Sequence, residues 1–420
     1  MKHTRVVIVG GGFGGFSVAR RLMRSANADQ FAITIVDPSS VSVYTPWLYE
    51  VASGGLLDVS LRGDLVHATD ISLDQWKGIR FHKTAMTGMD VASRHIACAD
   101  GTAVPYDICV LAMGSVSNDF GIAGVKQFAA DLKRTSDALM IRTELSSIIH
   151  SASQSAKRIV VVGGGPNGVE FSAECAATIR ALERSGKIAH RSIEIMLIDS
   201  GADPLMVLSP RLREVARNRL RDLGIVIRSN TALAHVSDGA VGLRAIHNGI
   251  PTESIEIISS EYCVTAIGVK MPAIVGTLPF TKHEKGRILV DASLRAIDHP
   301  EIFVLGDIAA VDGAEKLDPQ TAQVAVRQSI TVAKNICATI NRAPMKTYRS
   351  KRSWDVVVAL GGKYAIGTAL GIPLVGYTAY ILRRCVDARY FFSVLPFRDA
   401  LRRVIKGVTL YGKNENTETY

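Results

Sequence analysis

Two short runs of glycine carry the clearest chemistry in this sequence. Gly10-Gly11-Gly12-Phe13-Gly14-Gly15 follows the β-branched run Arg5 to Val9 (RVVIV) and opens a segment, Phe16 to Arg24, with helical spacing. Gly10, Gly12 and Gly15 form G-x-G-x-x-G, in which the first glycine permits a tight turn, the second lets backbone approach a pyrophosphate, and the third lets the helix pack closely on the strand. The helix N-terminus adds N–H donors and a positive dipole end. Phe31 to Val36 (FAITIV) reads as a second strand ending in Asp37, 22 residues past Gly15, where a carboxylate can accept from ribose hydroxyls.

The same grammar returns with Arg158 to Val162 (RIVVV), Gly163-Gly164-Gly165-Pro166-Asn167-Gly168, a helical stretch from Gly168 to Gly186, and Ile193 to Ile198 (IEIMLI) ending in Asp199. Gly163, Gly165 and Gly168 repeat the pattern, so two dinucleotides are expected. Asp199 lies 31 residues past Gly168, which requires a longer helix or exit loop than in the first unit if Asp199 reads the ribose. Its carboxylate would repel a 2'-phosphate, and Ser200 and Gly201 supply no arginine to bind one, so NADH is expected in preference to NADPH.

Hydride passes usefully between a flavin and a nicotinamide, so two dinucleotides in one chain point to one of each. Leu305-Gly306-Asp307-Ile308 after the strand Ile302 to Leu305 agrees with a flavin, because the glycine permits close approach and the carboxylate can bond a sugar alcohol. A helical pattern follows from Ala322 to Ile340.

These elements predict an α/β fold of two Rossmann-like, doubly wound nucleotide-binding domains, the second inserted in the first. The expected divisions are a flavin-binding domain over 1–120 and 270–343, an NADH-binding domain over 121–269, and a membrane-associating C-terminal region over 344–420. Length and composition agree: 420 residues exceed one ordinary core, and 47% hydrophobic against 21% charged residues excludes a disordered chain. The six cysteines include no Cys-x-x-Cys and no metal-like cluster, so reduced thiols and no metal site are expected. Met1 to Arg5 runs straight into a strand, so no signal peptide is expected.

The order VVIVGGGFGG, LAMGS, VVVGGGPNGVE, VTAIG and FVLGD resembles the two-dinucleotide-binding-domain flavoproteins, from about Arg5 to Ile340. Within them, TPWLYEVASGGL (Thr45 to Leu56), GSVSNDFGIAGV (Gly114 to Val125) and LDPQTAQVAVRQ (Leu317 to Gln328) look most like the type II NADH:quinone oxidoreductases. That resemblance implies FAD on Gly10, Gly12, Phe13, Gly14, Gly15, Asp37, Pro46, Gly114, Gly306, Asp307, Ala322 and Gln323. NADH falls on Gly163, Gly165, Gly168 and Asp199. It also implies that the Thr45-Pro46-Trp47 turn lies beside the isoalloxazine, that Glu170 sits near nicotinamide and flavin, and that Ala322-Gln323 borders flavin and quinone. Glu170 and Gln323 are the implied catalytic residues, and Gln323 at a helix start could donate to a flavin carbonyl. Two positions depart from the family pattern: Arg327 stands where a glutamine is usual, with Gln328 next to it, and Leu360 where a lysine is expected, with Lys363 close by. Disulfide-reductase chemistry lacks its close cysteine pair, and Cys175 and Cys337 read as buried packing rather than a sulfide-oxidising pair.

Half of the net charge of +10 sits near the end of the chain, where Arg383, Arg384, Arg389, Arg398, Arg402, Arg403 and Lys406 face only Asp387 and Asp399. Tyr390, Phe391, Phe392, Val394, Leu395, Phe397, Leu401, Val404 and Ile405 interleave with them, which suits an interfacial helix on an anionic membrane, broken at Pro396. The uncharged stretch Tyr364 to Leu382 holds three glycines and Pro373 and reads as strand, turn, strand and helix start rather than a span. No nucleic-acid motif accompanies the charge. The expected activity is transfer from NADH through FAD to a membrane quinone without proton pumping, at the cytoplasmic face of the membrane. The alternatives are a soluble ferredoxin- or rubredoxin-type reductase and a flavoprotein like apoptosis-inducing factor; the basic helix could instead be solvated and pack its apolar stripe on its own domain or on a second copy in a homodimer.

Overall fold

The structure, a computed structural model, describes residues 3–54, 56, 62–151 and 157–412; Met1, Lys2 and Gly55 of the segments quoted above lie outside that description. Five helices matter for the site: α1 (Phe13–Met23), α2 (Pro166–Arg184), α3 (Ala322–Asn341), α4 (Tyr377–Val394) and α5 (Phe397–Gly412). The chain divides into two compact units, one formed by Met1–Tyr44, Asp70–Val116 and Val269–Ser353, the other by Thr45–Thr69, Ser117–Gly268 and Trp354–Tyr420.

The first unit is built on an eight-stranded sheet in the order Ala309–Val311, Ile288–Val290, Arg295–Ala296, His299–Val304, Ile108–Leu111, Thr4–Val9, Phe31–Asp37 and Ile79–Lys83. From His299–Val304 to Ile79–Lys83 every neighbour is parallel. Val6, Val7, Ile8 and Val9 are all buried, the unbroken apolar run that a parallel strand covered on both faces requires. Its first glycine loop leaves the central strand Thr4–Val9, which lies between Ile108–Leu111 and Phe31–Asp37.

The second unit repeats this arrangement in five parallel strands, ordered Ala129–Asp131, Tyr262–Thr265, Lys157–Val162, Ile193–Ile198 and Val226–Arg228. Here too the loop leaves the central strand, with Tyr262–Thr265 on one side and Ile193–Ile198 on the other. In both units the loop therefore stands at the C-terminal end of a strand flanked by a parallel neighbour on each side, where open α/β sheets bind nucleotides.

The C-terminal part of the second unit holds an antiparallel sheet of Val357–Ala359, Ala365–Ala369 and Ile372–Gly376, followed by α4 and α5. The uncharged stretch is thus two strands and a helix start, as its glycines predict, and the two helices meet at Pro396. Among the described residues no helix is long and apolar enough to cross a membrane.

Candidate functional site

The two glycine loops agree atom for atom in the features that shape them. Gly10 has φ +104° and Gly163 φ +117°, and a Cβ on either would stand 2.3–2.4 Å from a carbonyl oxygen, that of Ala112 or Ala266. A Cβ on Gly15 or Gly168 would come within 2.0 Å of the oxygen of Gly10 or Gly163, so only glycine lets each helix sit this close to its strand. Gly12 and Gly165 differ from these. Each is the N-cap of its helix with no side chain to cap it, and a Cβ there would meet nothing within 4 Å. First-turn N–H groups beside open space suit the diphosphate of a dinucleotide in both units.

The strand-end acids belong to the same construction. Asp37 accepts from Gly11 N (2.6 Å) and Ser39 N (2.7 Å), and a Cβ on Gly164 would lie 2.2 Å from Asp199 Oδ2. The long interval before Asp199 is taken up by α2, 19 residues against 11 in α1. Arginines do come near Asp199 from distant parts of the sequence. Arg228 is opposite Ile198 in the adjacent strand and pairs with Glu256 (2.6 Å), while Arg217 and Arg213 of the helix Pro210–Asp222 pair with Asp203 at 2.7 and 3.6 Å.

In the first unit, Gly114 and Ser115 follow the strand Ile108–Leu111, and Ser115 Oγ donates to Asp307 Oδ2 at 2.5 Å. Gly306 has φ +77° and opens the short turn Gly306–Ile308. Gly14 lets α1 approach Leu305 and Ala325, and the Phe13 ring tilts against Tyr44 at 5.7 Å. Ala322 and Gln323 start α3, capped by Thr321 onto Val324 N (3.4 Å), with Gln323 exposed. The family departure at Arg327 falls on the outward face of α3, where its guanidinium reaches Arg349 O (3.4 Å), and Gln328 beside it is fully buried.

Pro46 and Glu170 lie in the second unit, in a buried ionic cluster. Arg383 donates through Nη1 to Glu170 and to Val357 O (2.9 Å), and through Nη2 to Pro46 O (3.0 Å). Glu170 also accepts from Ala359 N at 3.2 Å, and four residues on Glu174 accepts from Gly362 N at 3.2 Å, docking the C-terminal sheet onto α2. Leu360 is buried between these contacts, so the cation facing Glu170 comes from α4. Next to Arg383, Arg384 holds Glu50 at 2.9 and 3.3 Å, and Tyr49 donates to Glu50 at 2.7 Å. Asp387 accepts from Trp47 Nε1 at 2.9 Å. Burial pushes both the Glu50 and the Glu170 carboxyl up, opposed in each case by the facing guanidinium.

This corrects the reading of the basic tail. Arg383 and Arg384 turn inward because Glu170 and Glu50, distant in sequence, would otherwise be buried unpaired. Phe391 is fully buried against Trp47, ring centroids 5.1 Å apart, and a Cβ on Gly407 would come 2.4 Å from Trp47, so α5 crosses at a glycine. Arg403 donates to His67 O (2.6 Å) and Ala68 O (3.1 Å), and Lys406 pairs with Asp64 (2.7 Å). What faces outward is Arg389, Arg398 and Arg402, with Phe397, Leu401 and Ile405 at 68%, 40% and 52% exposure on one face of α5. The buried cluster has a sequence signal: the arginines of this helical stretch outnumber its one acid, Asp387, so the adjacent pair needs acids from elsewhere.

All six cysteines are free, and Cys175 is buried with its thiol pushed up to about 12 by burial, which suits packing rather than nucleophilic chemistry.

The family of pyridine nucleotide-disulphide oxidoreductases matches residues 4–329. The chain belongs to this family. It is 24% identical, over 93% of its length and 96% of the relative's, to a type II NADH:quinone oxidoreductase of Staphylococcus haemolyticus. A protein of the same description from Staphylococcus aureus is 25% identical over the same shares. Among solved structures, NDH2 from Plasmodium falciparum in complex with NADH has a TM-score of 0.82 at 18% identity, covering 98% of this chain and 99% of that one. The sulfide:quinone oxidoreductase of Aquifex aeolicus has a TM-score of 0.75 at 17% identity, covering 93% and 91%. The expected fold class, two nucleotide-binding α/β domains in one oxidoreductase, stands, and the expected use of FAD and NADH agrees with family membership.

Proposed function

We propose that this chain is an NADH:quinone oxidoreductase that carries FAD on its first glycine loop and takes NADH on its second. The observation that carries the reading is the duplication itself: two loops with the same strained glycines, uncapped helix N-terminus and strand-end acid, the first of which shares its unit with the Gly306-Asp307 turn. FAD, when bound, supplies the chemistry, accepting hydride from NADH and returning electrons to quinone. The chain's own part is positioning. Gly10, Gly12, Phe13, Gly14, Gly15, Asp37, Gly114, Gly306, Asp307, Ala322 and Gln323 hold the flavin nucleotide; Gly163, Gly165, Gly168 and Asp199 hold NADH. Arg383 fixes the main chain at Pro46 and the carboxylate of Glu170 together. The FAD domain is 1–120 with 270–343, and the NADH domain is 121–269.

The region 344–420 docks on an anionic membrane surface, through the outward face of α5. Phe397, Leu401 and Ile405 insert, and Arg389, Arg398 and Arg402 meet lipid headgroups. The enzyme is then peripheral, at the cytoplasmic face, and pumps no protons. The names of the type II NADH:quinone oxidoreductases matched over 93% of the chain support quinone as acceptor. Steady-state turnover with NADH and a panel of quinones, ferredoxin, rubredoxin and oxygen, with and without anionic liposomes, tests this. Quinone turnover that rises with liposomes supports it. Turnover confined to an iron–sulfur protein in the soluble fraction sinks it in favour of a soluble reductase, and NADH-dependent partner binding with negligible turnover favours a flavoprotein like apoptosis-inducing factor.

A further inference from the structure

We propose that Gln328 and Asp318 are positioning residues that set the Gly306-Asp307 turn, and through it the flavin; this rests on the flavoprotein reading above. Gly306 N donates to Gln328 Oε1 at 2.7 Å, and Gln328 is 1% exposed. That N–H is therefore consumed within the protein. The Asp307 carboxylate, steadied by Ser115 at 2.5 Å, is the side chain that the turn presents to a ligand.

The orientation of Gln328 is determined from both sides. Gly306 offers a donor, so the amide oxygen faces it, and the amide nitrogen then stands 3.3 Å from Asp318 Oδ2, an acceptor. Asp318 collects two further donors, Tyr348 OH at 2.8 Å and Ser350 Oγ, while its main-chain oxygen takes Arg287 Nη1 at 2.7 Å. Two of these donors meet at Oδ2 and the third at Oδ1, so an apolar side chain in place of Asp318 would leave the Gln328 amide and the Tyr348 hydroxyl without their acceptor. Tyr348 is itself anchored: its N–H bonds Ala292 O (2.7 Å), and the main chain at Lys346 exchanges bonds of 2.7 and 2.9 Å with the buried Asn335 of α3. Burial and the Asp318 carboxylate both hold the Tyr348 hydroxyl in its protonated, donating form. The segment Tyr348–Ser350, Asp318 and Gln328 thus form one relay ending at the amide that shapes the turn.

The test measures FAD affinity of apoprotein by quenching of flavin fluorescence, together with apoprotein melting temperature and NADH affinity, for Gln328→Met, Asp318→Leu and the double variant. Each single change is expected to weaken FAD about tenfold, the loss of a hydrogen bond that leaves a buried partner unsatisfied. NADH affinity should be unchanged. Because the two act through one amide, the double variant should be no more than about twofold worse than the weaker single. FAD affinity within twofold of wild type, or single losses that multiply in the double variant, would overturn the proposal. If either variant fails to fold, Tyr348→Phe removes one donor at constant shape and should weaken FAD about threefold with NADH affinity intact; unchanged FAD affinity there also overturns it. Wild-type protein that takes up no FAD overturns the flavoprotein reading, and this proposal with it.

Discussion

Replacing Arg384 by Met should destabilise the second unit far more than the loss of an ordinary ion pair. Arg384 lies on α4 and is the cation holding Glu50, which is 2% exposed and also accepts from the Tyr49 hydroxyl at 2.7 Å. An exposed pair contributes about 0–1 kcal/mol, but removing one partner of a buried pair leaves an uncompensated charge and costs about 3–5 kcal/mol. For a unit of this size that corresponds to a fall in Tm of roughly 6–20 °C. The pH dependence has a definite sign. Burial already raises the Glu50 carboxyl above its unfolded value, and losing Arg384 removes the largest opposing influence, so in the variant Glu50 gains a proton on folding. Stability from a raised carboxyl is fully present below the unfolded pKa and is lost as pH rises through the folded one. The deficit should therefore be larger at pH 8 than at pH 5.5. Neutralising the stranded acid in Glu50→Gln/Arg384→Met should restore more than half of it. The assay is thermal and urea unfolding of the two variants and wild type at both pH values. A loss under about 1 kcal/mol at pH 8, or a double variant no better than the single, would refute the reasoning and place Arg384 among ordinary surface cations.

Asp307→Ala should weaken FAD retention by about 10- to 150-fold, the equivalent of a charged hydrogen bond, and flavin content after dialysis reports it. Asp199→Ala should narrow the preference for NADH over NADPH, since Arg213, Arg217 and Arg228 are near the loop while the acid that repels a 2'-phosphate is gone; an unmoved ratio of kcat/KM values would show that another residue reads the ribose. Phe397→Ser/Leu401→Ser/Ile405→Ser should weaken binding to anionic liposomes at every salt concentration, whereas Arg398→Gln/Arg402→Gln should cost roughly 1 kcal/mol per residue and make binding less salt-sensitive. Cosedimentation that separates neither series from wild type would remove α5 from the membrane.

The parts of this protein that repeat at short range were open to reading from its sequence. Each glycine loop is a local object, dictated by β-branched residues before it, positive φ within it and helical spacing after it, so Gly10 to Gly15 and Gly163 to Gly168 could be placed residue by residue. The strands ending in Asp37 and Asp199 and the helix beginning at Ala322 followed from periodicity for the same reason. What sequence alone could not decide was the direction of charge. Arg383 and Arg384 belong to a run that composition presents as a solvated basic face, yet they point inward, because their acids are Glu170 and Glu50, more than 200 residues away in the chain. Gln328 likewise looks interchangeable with Arg327 until the turn of α3 buries one beside Gly306 and leaves the other exposed. A helix displays all its side chains with equal regularity; only the partners brought to it by tertiary packing determine which charges are neutralised inside and which remain exposed.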